Sequence, residues 1–422
     1  MKITETIMHY YSTGNSSYKL SFKDAVREGI SQDGGLFVPA DIPQVPAAFF
    51  RNMPEMSIRD IAYIVLSTLV GNEIPSEQIK NIISAVLTYP VPVRRLGDSN
   101  IFATELFHGP TGSSKDMGVR FMVKFFDLLL TRREDEPITV IASVSSDSGV
   151  AIADAFSHSE NFRVLVVFPK GKISTEARGK ILKLGKNIIP VEIRGSLDDC
   201  LAMIRTTLVD ESLRGKIKLA SANSINIARL LPTVIQYFYM WAKMVEDGAD
   251  TDKIVISVPC ANLANLSAAL IAVKMGLPVK KIIAASTNPA ITDFLKNGTF
   301  TPVRITESLA PALDIATPMN LARVQELMKS CKVEVEAVTV TDEDILSAKK
   351  SLTDRYGYEA DYHTCVSASA LTGTITPDEY GTFIATVDPK HKAGQLQQPH
   401  RHDSIAPTYR AFRRIIDPEH NY

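Results

Sequence analysis

Cysteine is scarce in this chain of 422 residues. The four, Cys200, Cys260, Cys331 and Cys365, lie far apart with no Cys-x-x-Cys spacing, which excludes a zinc ribbon or a disulfide framework. Charge of one sign is lacking too. The formal net charge is −1, which argues against a basic protein held on nucleic acid by non-specific attraction. No uncharged apolar run is long enough to span a membrane, and the opening MKITETIMHYYSTG has no signal-peptide core. A cytoplasmic protein with no nucleic-acid or membrane partner is expected. No HExxH motif or paired-ligand spacing is present. His391, His400, His402 and His420 fall in a polar terminal stretch, and no metal site is expected. Internal repeats and long low-complexity segments are also missing.

What is present fits a globular chain of two or three domains, with 45% hydrophobic and 22% charged residues. Residues 1–97 mix turns and short helical patterns and read as a small, mainly helical leading domain. Gln32-Asp33-Gly34-Gly35 is a turn, Leu36 to Pro39 a short apolar run, and Ser57 a helix start before IAYIVLSTLV. Strands then alternate with helices. Ile138–Ile141, Arg163–Phe168, Ile188–Ile193, Ile254–Val258 and Ile282–Ala285 are apolar strands, separated by helical stretches such as VAIADAF and STEARGKILKLG. Buried strands between helices predict an α/β fold with largely parallel sheets covered on both faces. The boundaries expected are 1–97, 98–215, 216–390 and a polar C-terminal segment, 391–422. Layering alone names no function, so the loops after the strands have to carry it.

Five stretches carry chemistry. Glu105-Leu106-Phe107-His108-Gly109-Pro110-Thr111-Gly112-Ser113-Ser114-Lys115-Asp116 ends on a lysine; it lacks the glycine and Lys-Ser/Thr spacing of a Walker loop. Ser145-Ser146-Asp147-Ser148-Gly149 follows a strand and opens a helix, where free backbone N–H groups suit an anion. Asn223-Ser224-Ile225-Asn226-Ile227-Ala228-Arg229 offers polar groups and an arginine, whose planar fork matches phosphate. Pro259-Cys260-Ala261-Asn262-Leu263-Ala264-Asn265 follows another apolar strand. Gly357-Tyr358-Glu359-Ala360-Asp361-Tyr362-His363-Thr364 closes the set. Taken singly, each also reads as an ordinary surface lysine, an N-cap loop or a capped helix.

Together these strings resemble the threonine synthases, a family of fold-type II pyridoxal-phosphate enzymes similar to the tryptophan synthase β fold. The first matches ELFHGPT-x-x-FKD, the second T-S-G-D-T-G, the third NSIN-x-AR, the fourth VPSGNFGNL and the fifth GY-x-x-DPHTA. The resemblance extends over most of the chain, through Tyr10-Tyr11-Ser12-Thr13, Asp33 to Pro39, Pro169 to Ser174, Gly195 to Cys200 and Pro318-Met319-Asn320. It implies pyridoxal 5'-phosphate as cofactor and Lys115 as the lysine that bonds to its aldehyde and moves protons. It places Asp147, the loop Cys260, Ala261, Asn262, Leu263, Ala264 and Asn265, and Thr364 on the cofactor. Ser145, Ser146, Ser148, Ser224, Asn226 and Arg229 are implied as substrate contacts. The implied reaction converts O-phospho-L-homoserine and water into L-threonine and phosphate, so the partner is a small phosphorylated amino acid; monomer and homodimer both stay open.

Departures from the family pattern keep two alternatives in view: a pyridoxal-phosphate lyase with a changed substrate, and a non-catalytic paralogue. Ser114 stands for a phenylalanine, Val144 and Ser148 for threonines, Ser146 for glycine, Tyr362 for proline, and Asp388 for histidine. Ala261 and Ala264 stand for glycines of the cofactor-phosphate loop. An alanine held where only glycine is comfortable costs about 1–2 kcal/mol, and little where φ is negative. On the first of these terms, restoring both glycines is expected to tighten cofactor binding.

Overall fold

The computed structural model describes residues 7–130, 137–390 and 404–417. The early strands are β1 (His9–Ser12), β2 (Lys19–Ser21), β3 (Phe37–Pro39), β4 (Val93–Arg95) and β5 (Ile101–Glu105). Next come β6 (Ile138–Ser143), β7 (Phe162–Pro169), β8 (Ile188–Ile193) and β9 (Leu219–Ser221). The last are β10 (Ile254–Pro259), β11 (Lys281–Ser286), β12 (Glu334–Thr339) and β13 (Tyr380–Ala385).

Helices dominate the leading segment. Ser57 accepts from the Asp60 N–H at 3.2 Å and starts the helix Ile58–Val70 where the sequence predicts it. Asp33 Oδ1 takes the Gly35 N–H at 2.8 Å and closes the expected turn. A three-stranded sheet in the order β2-β1-β3 accompanies these helices.

Two compact units follow from the packing. One is built mainly from Val38–Met117 and residues 230–390, the other from Tyr10–Phe37, Gly118–Arg229 and residues 404–417. The first holds a six-stranded sheet in the order β12-β11-β10-β13-β5-β4. All its pairings are parallel except β4 against β5. The second holds a four-stranded parallel sheet in the order β8-β7-β6-β9. Every residue of β6, β10 and β11 is buried, which is why these strands read as unbroken apolar runs rather than alternations. The α/β arrangement with mostly parallel sheets agrees with the sequence.

Chain order and strand order part company at one place in each sheet. In the first unit the chain runs β10, β11, β12 outward, then returns to insert β13 between β10 and β5. In the second it runs β6, β7, β8 outward, then returns to lay β9 on the other side of β6. Loops beyond the carboxyl ends of strands at such reversals part in opposite directions and leave a crevice, the usual place for a ligand in an open α/β sheet.

Of the C-terminal segment 391–422, residues 404–417 are described. Ile405 bridges to Ile193 at the edge of the four-stranded sheet. The helix Tyr409–Ile416 buries Phe412 and Ile416. His391, His400, His402 and His420 lie outside the described residues. Among the described residues no helix is long and apolar enough to cross a membrane, and no group of three or more His, Cys, Asp or Glu is placed to hold a metal.

Candidate functional site

In the first unit, three loops leave the carboxyl ends of the neighbouring strands β5, β13 and β10 on one edge of the sheet. The register pairs Ala385 with Glu105, and Ser257 with Phe383. The loop after β5 runs to Lys115, the first residue of the helix Lys115–Leu129. It is fastened to the segment after β13: Ser114 N–H donates to the Thr386 carbonyl at 2.7 Å, and Asp388 N–H to the Gly112 carbonyl at 3.0 Å. Asp116, fully buried, accepts from the Thr111 N–H at 2.9 Å and its hydroxyl at 3.0 Å. Gly109 lies so close that a Cβ there would sit 2.5 Å from Asp116 Oδ2. Lys115 itself is partly exposed, and its backbone is held by these bonds on either side.

Thr364 belongs to the same edge. The Thr386 N–H donates to its Oγ1 at 3.1 Å, so the segment after β13 joins it to the Lys115 loop. Asp361 caps the helix Tyr362–Thr374. One of its oxygens accepts from the Thr364 N–H at 3.1 Å and from the Thr364 hydroxyl. The other accepts from the His363 N–H at 3.0 Å and pairs with His363 Nδ1 at 2.8 Å. His363 Nε2 accepts the Ala312 N–H at 3.2 Å, which fixes the ring with its proton on Nδ1. One residue the sequence reading missed is Thr386. Its hydroxyl oxygen is buried with no hydrogen-bond partner, on the backbone that links Lys115 to Thr364. A buried hydroxyl without a partner is costly unless a ligand completes it.

The loop after β10 makes the third wall. Leu263 carries φ 63° and ψ 12°, a left-handed conformation uncommon for a leucine, and caps the helix Ala264–Lys274. Ala261 and Ala264 are not among the residues with positive φ. The backbone strain expected at the two alanines therefore sits between them, at Leu263. Asn262 Oδ1 accepts the Ala264 N–H at 3.1 Å, and Asn265 Nδ2 donates to the Pro259 carbonyl at 3.2 Å. A left-handed residue running into a helix N-terminus turns successive N–H groups toward one point, a concavity suited to an anion. Cys260 is fully buried, and burial pushes its thiol well above the ordinary range, so it serves as a small apolar side chain. The partly exposed Lys115, the unmatched Thr386 hydroxyl and the anion cradle fit pyridoxal phosphate.

In the second unit, the loops after β6 and β9 emerge side by side, since Ile141 pairs with Ser221. Asn223 clasps them: its Oδ1 accepts the Ser143 N–H at 3.0 Å and its Nδ2 donates to the Ser143 carbonyl at 2.8 Å. Ser145, Ser146, Asp147 and Ser148 form the start of the helix Ser146–Ser157. Ser148 Oγ accepts the Ser145 N–H at 2.9 Å, and the Ser145 hydroxyl donates to Asp147 at 2.9 Å. Ser146 Oγ accepts the Ser174 N–H at 2.8 Å, a tie that the family's glycine has no atom to make.

Arg229 is buried and donates to the Ala222 carbonyl at 2.6 Å. Burial lowers its pKa to about 10, partly offset by the Asp147 carboxylate, so it stays a cation at neutral pH. Ser224, five residues earlier, is buried as well. Asn226, grouped with these two by the resemblance, uses both ends of its amide on backbone. It donates to the Val26 carbonyl and accepts from the Ala228 N–H, both at 3.0 Å.

Arg323 gave no signal in the sequence. It follows Leu321 and Ala322 in a short helix, where an arginine ordinarily faces water, yet here it is 0% exposed.

Comparison with known proteins bears on this geometry. Residues 85–383 match the family model for pyridoxal-phosphate dependent enzymes, and residues 9–87 match the model for the threonine synthase N terminus. A threonine synthase from Escherichia coli K12 is 35% identical over 387 residues, covering 90% of this chain and 89% of that protein. The chain belongs to the threonine synthase family. The crystal structure of threonine synthase from Escherichia coli superposes with a TM-score of 0.89 at 31% identity, covering 98% of this chain and all of that one. The threonine synthase from Brucella melitensis with pyridoxal phosphate bound has a TM-score of 0.82 at 24% identity, covering 97% and 98% of the two chains, which speaks to the fold. The family fold is thus the fold-type II arrangement of pyridoxal-phosphate enzymes expected from the strings around Lys115 and Thr364.

Proposed function

We propose that this chain is a cytoplasmic threonine synthase, converting O-phospho-L-homoserine and water into L-threonine and phosphate. The observation that carries the reading is the meeting of the Lys115 loop, the Asn262 loop and Thr364 on one edge of β5, β13 and β10. Pyridoxal phosphate, when bound, supplies the electron sink that makes the substrate's α and β protons removable.

In this reading Lys115 would hold the cofactor aldehyde until the substrate's amine takes its place. The lysine amine so freed takes and returns protons at the α and β carbons as phosphate leaves the γ carbon and water adds at the β carbon. Residues Cys260 to Asn265 cradle the cofactor phosphate. Thr386 offers a hydroxyl to the cofactor ring, and Thr364 offers the remaining lone pair of an oxygen whose proton goes to Asp361. Asp147 holds its own loop in shape by accepting from the Ser145 hydroxyl. The N–H groups that open the helix Ser146–Ser157, with Ser145, Ser146 and Ser148 shaping that turn, receive the substrate carboxylate. Ser224 and the buried cation Arg229 receive the substrate phosphate, while Asn226 sets the turn that carries them.

The test is the visible absorption of purified protein incubated with pyridoxal phosphate and dialysed, beside Lys115→Ala. A retained band that the variant lacks, followed by phosphate release from O-phospho-L-homoserine, is the expected result. No band at excess cofactor overturns the reading in favour of a non-catalytic paralogue. A band without phosphate release points to a lyase of another substrate.

A further inference from the structure

Arg323 and Asn320 are both 0% exposed, in and just before the helix Leu321–Met328. Burying a guanidinium costs free energy that the fold has to recover elsewhere. Burial pushes this one down to about 9, still cationic at neutral pH. Its Nη1 donates to Asn320 Oδ1. The other end of the same amide, Nδ2, donates to the Asn262 carbonyl at 3.0 Å, and the Asn320 N–H donates to that carbonyl at 3.0 Å as well. Asn262 is the residue before the left-handed Leu263.

The direction of this chain is fixed by chemistry. Arginine has donors and no acceptor, so it compels the Asn320 amide to present oxygen to Arg323 and nitrogen to Asn262. A flipped amide would set two oxygens against each other at Asn262. The carbonyl so gripped opens a turn that a leucine does not adopt cheaply, and the grip holds that turn in shape.

We propose that Arg323 is a positioning residue for the cofactor-phosphate cradle, acting through the Asn320 amide on the Asn262 carbonyl. This rests on the reading that the Cys260–Asn265 loop receives the phosphate. Arg323 itself stands two residues removed from the ligand: it orients the Asn320 amide, the amide fixes the Asn262 loop, and the loop aims its N–H groups.

The experiment compares binding of pyridoxal phosphate with binding of pyridoxal, which lacks the phosphate, by absorption titration. The proteins are the full chain, Arg323→Met, Arg323→Lys, Asn320→Ser and Ala264→Asp, each checked by circular dichroism and thermal unfolding. Arg323→Met is expected to weaken pyridoxal phosphate about 10-fold or more while pyridoxal changes less than about 2-fold. Arg323→Lys, which keeps a donor, should fall between. Asn320→Ser reads the same link in a smaller perturbation and stands in if Arg323→Met does not fold. Ala264→Asp places a carboxylate in the cradle and tests the reading beneath. If it discriminates against the phosphate while Arg323→Met and Asn320→Ser keep the ratio of the two affinities unchanged, the positioning role is overturned and the cradle stands. If Ala264→Asp leaves that ratio untouched, the cradle itself is overturned. Equal loss of both ligands in a folded Arg323→Met overturns the proposal too, because a general packing role predicts that result.

Discussion

Gly109→Ala puts a methyl group into the tightest spot of the lysine loop. The new Cβ would lie 2.5 Å from Asp116 Oδ2, 2.7 Å from its Cβ and 2.9 Å from its Cγ. Rotating Asp116 moves the oxygen and Cγ aside but leaves its Cβ, which is fixed to the first turn of the helix Lys115–Leu129. Relief therefore takes a backbone shift, a broken pair of bonds from Thr111, or both. Each of those bonds ends on a buried charged acceptor and is worth about 1.5–3 kcal/mol. With part of that recovered by relaxation, the expected loss is about 2–4 kcal/mol, seen as a fall of roughly 2–5 °C in the unfolding midpoint. Lys115 adjoins Asp116, so the absorption band of bound cofactor should weaken as well. Gly179→Ala is the control. It lies in the helix Thr175–Leu184, where an added Cβ meets nothing within 4 Å, and should be neutral or stabilising by up to about 1 kcal/mol. A Gly109→Ala protein with an unchanged midpoint and an unchanged band would refute the reasoning that this glycine makes room for Asp116.

The double variant Ala261→Gly with Ala264→Gly should bind pyridoxal phosphate within about 2-fold of the parent, because neither alanine has positive φ and there is no strain of about 1–2 kcal/mol to release. Tightening beyond 10-fold in the titration would show that the methyl groups themselves obstruct the phosphate. Glu379 yields a pH prediction. Burial pushes its carboxyl up, but the Lys280 ammonium at 2.6 Å and the Thr376 N–H outweigh this and hold it at about 2. A depressed carboxyl stabilises the fold above the ordinary glutamate range, and the contribution is lost as pH falls from about 4.5 toward 2. Glu379→Gln should therefore lower the urea midpoint at pH 7 and converge on the parent near pH 2; a gap that persists at low pH would remove the ion pair as its cause.

The lysine loop, the helix starts at Ser57 and in Ser145–Gly149, and the five apolar strands beginning at Ile138, Arg163, Ile188, Ile254 and Ile282 are legible because they are local. An apolar run that ends in a polar loop looks the same in sequence as in space. The strands Ile101–Glu105, Leu219–Ser221, Glu334–Thr339 and Tyr380–Ala385 were not read. Leu219–Ser221 has only three residues and the edge strand Glu334–Thr339 is largely unburied. Ile101–Glu105 and Tyr380–Ala385 are buried but mix Thr, Gly and Ala into short apolar stretches, so pairing partners distant in the chain give them their identity.

The sequence by itself determined the α/β layering, the family strings and the candidate lysine, since each depends on residues that are neighbours along the chain. Tertiary structure decided which loops share an edge, because β13 enters between β10 and β5 by non-local hydrogen bonding that no string encodes. It decided that strain falls on Leu263 rather than on the alanines beside it, because φ is set by how the loop is anchored as well as by residue type. It also spent the Asn226 amide on the Val26 carbonyl and buried Arg323 behind Asn320. The work of a polar side chain depends on the atoms that surround it, and those are supplied by parts of the chain that meet only when it folds.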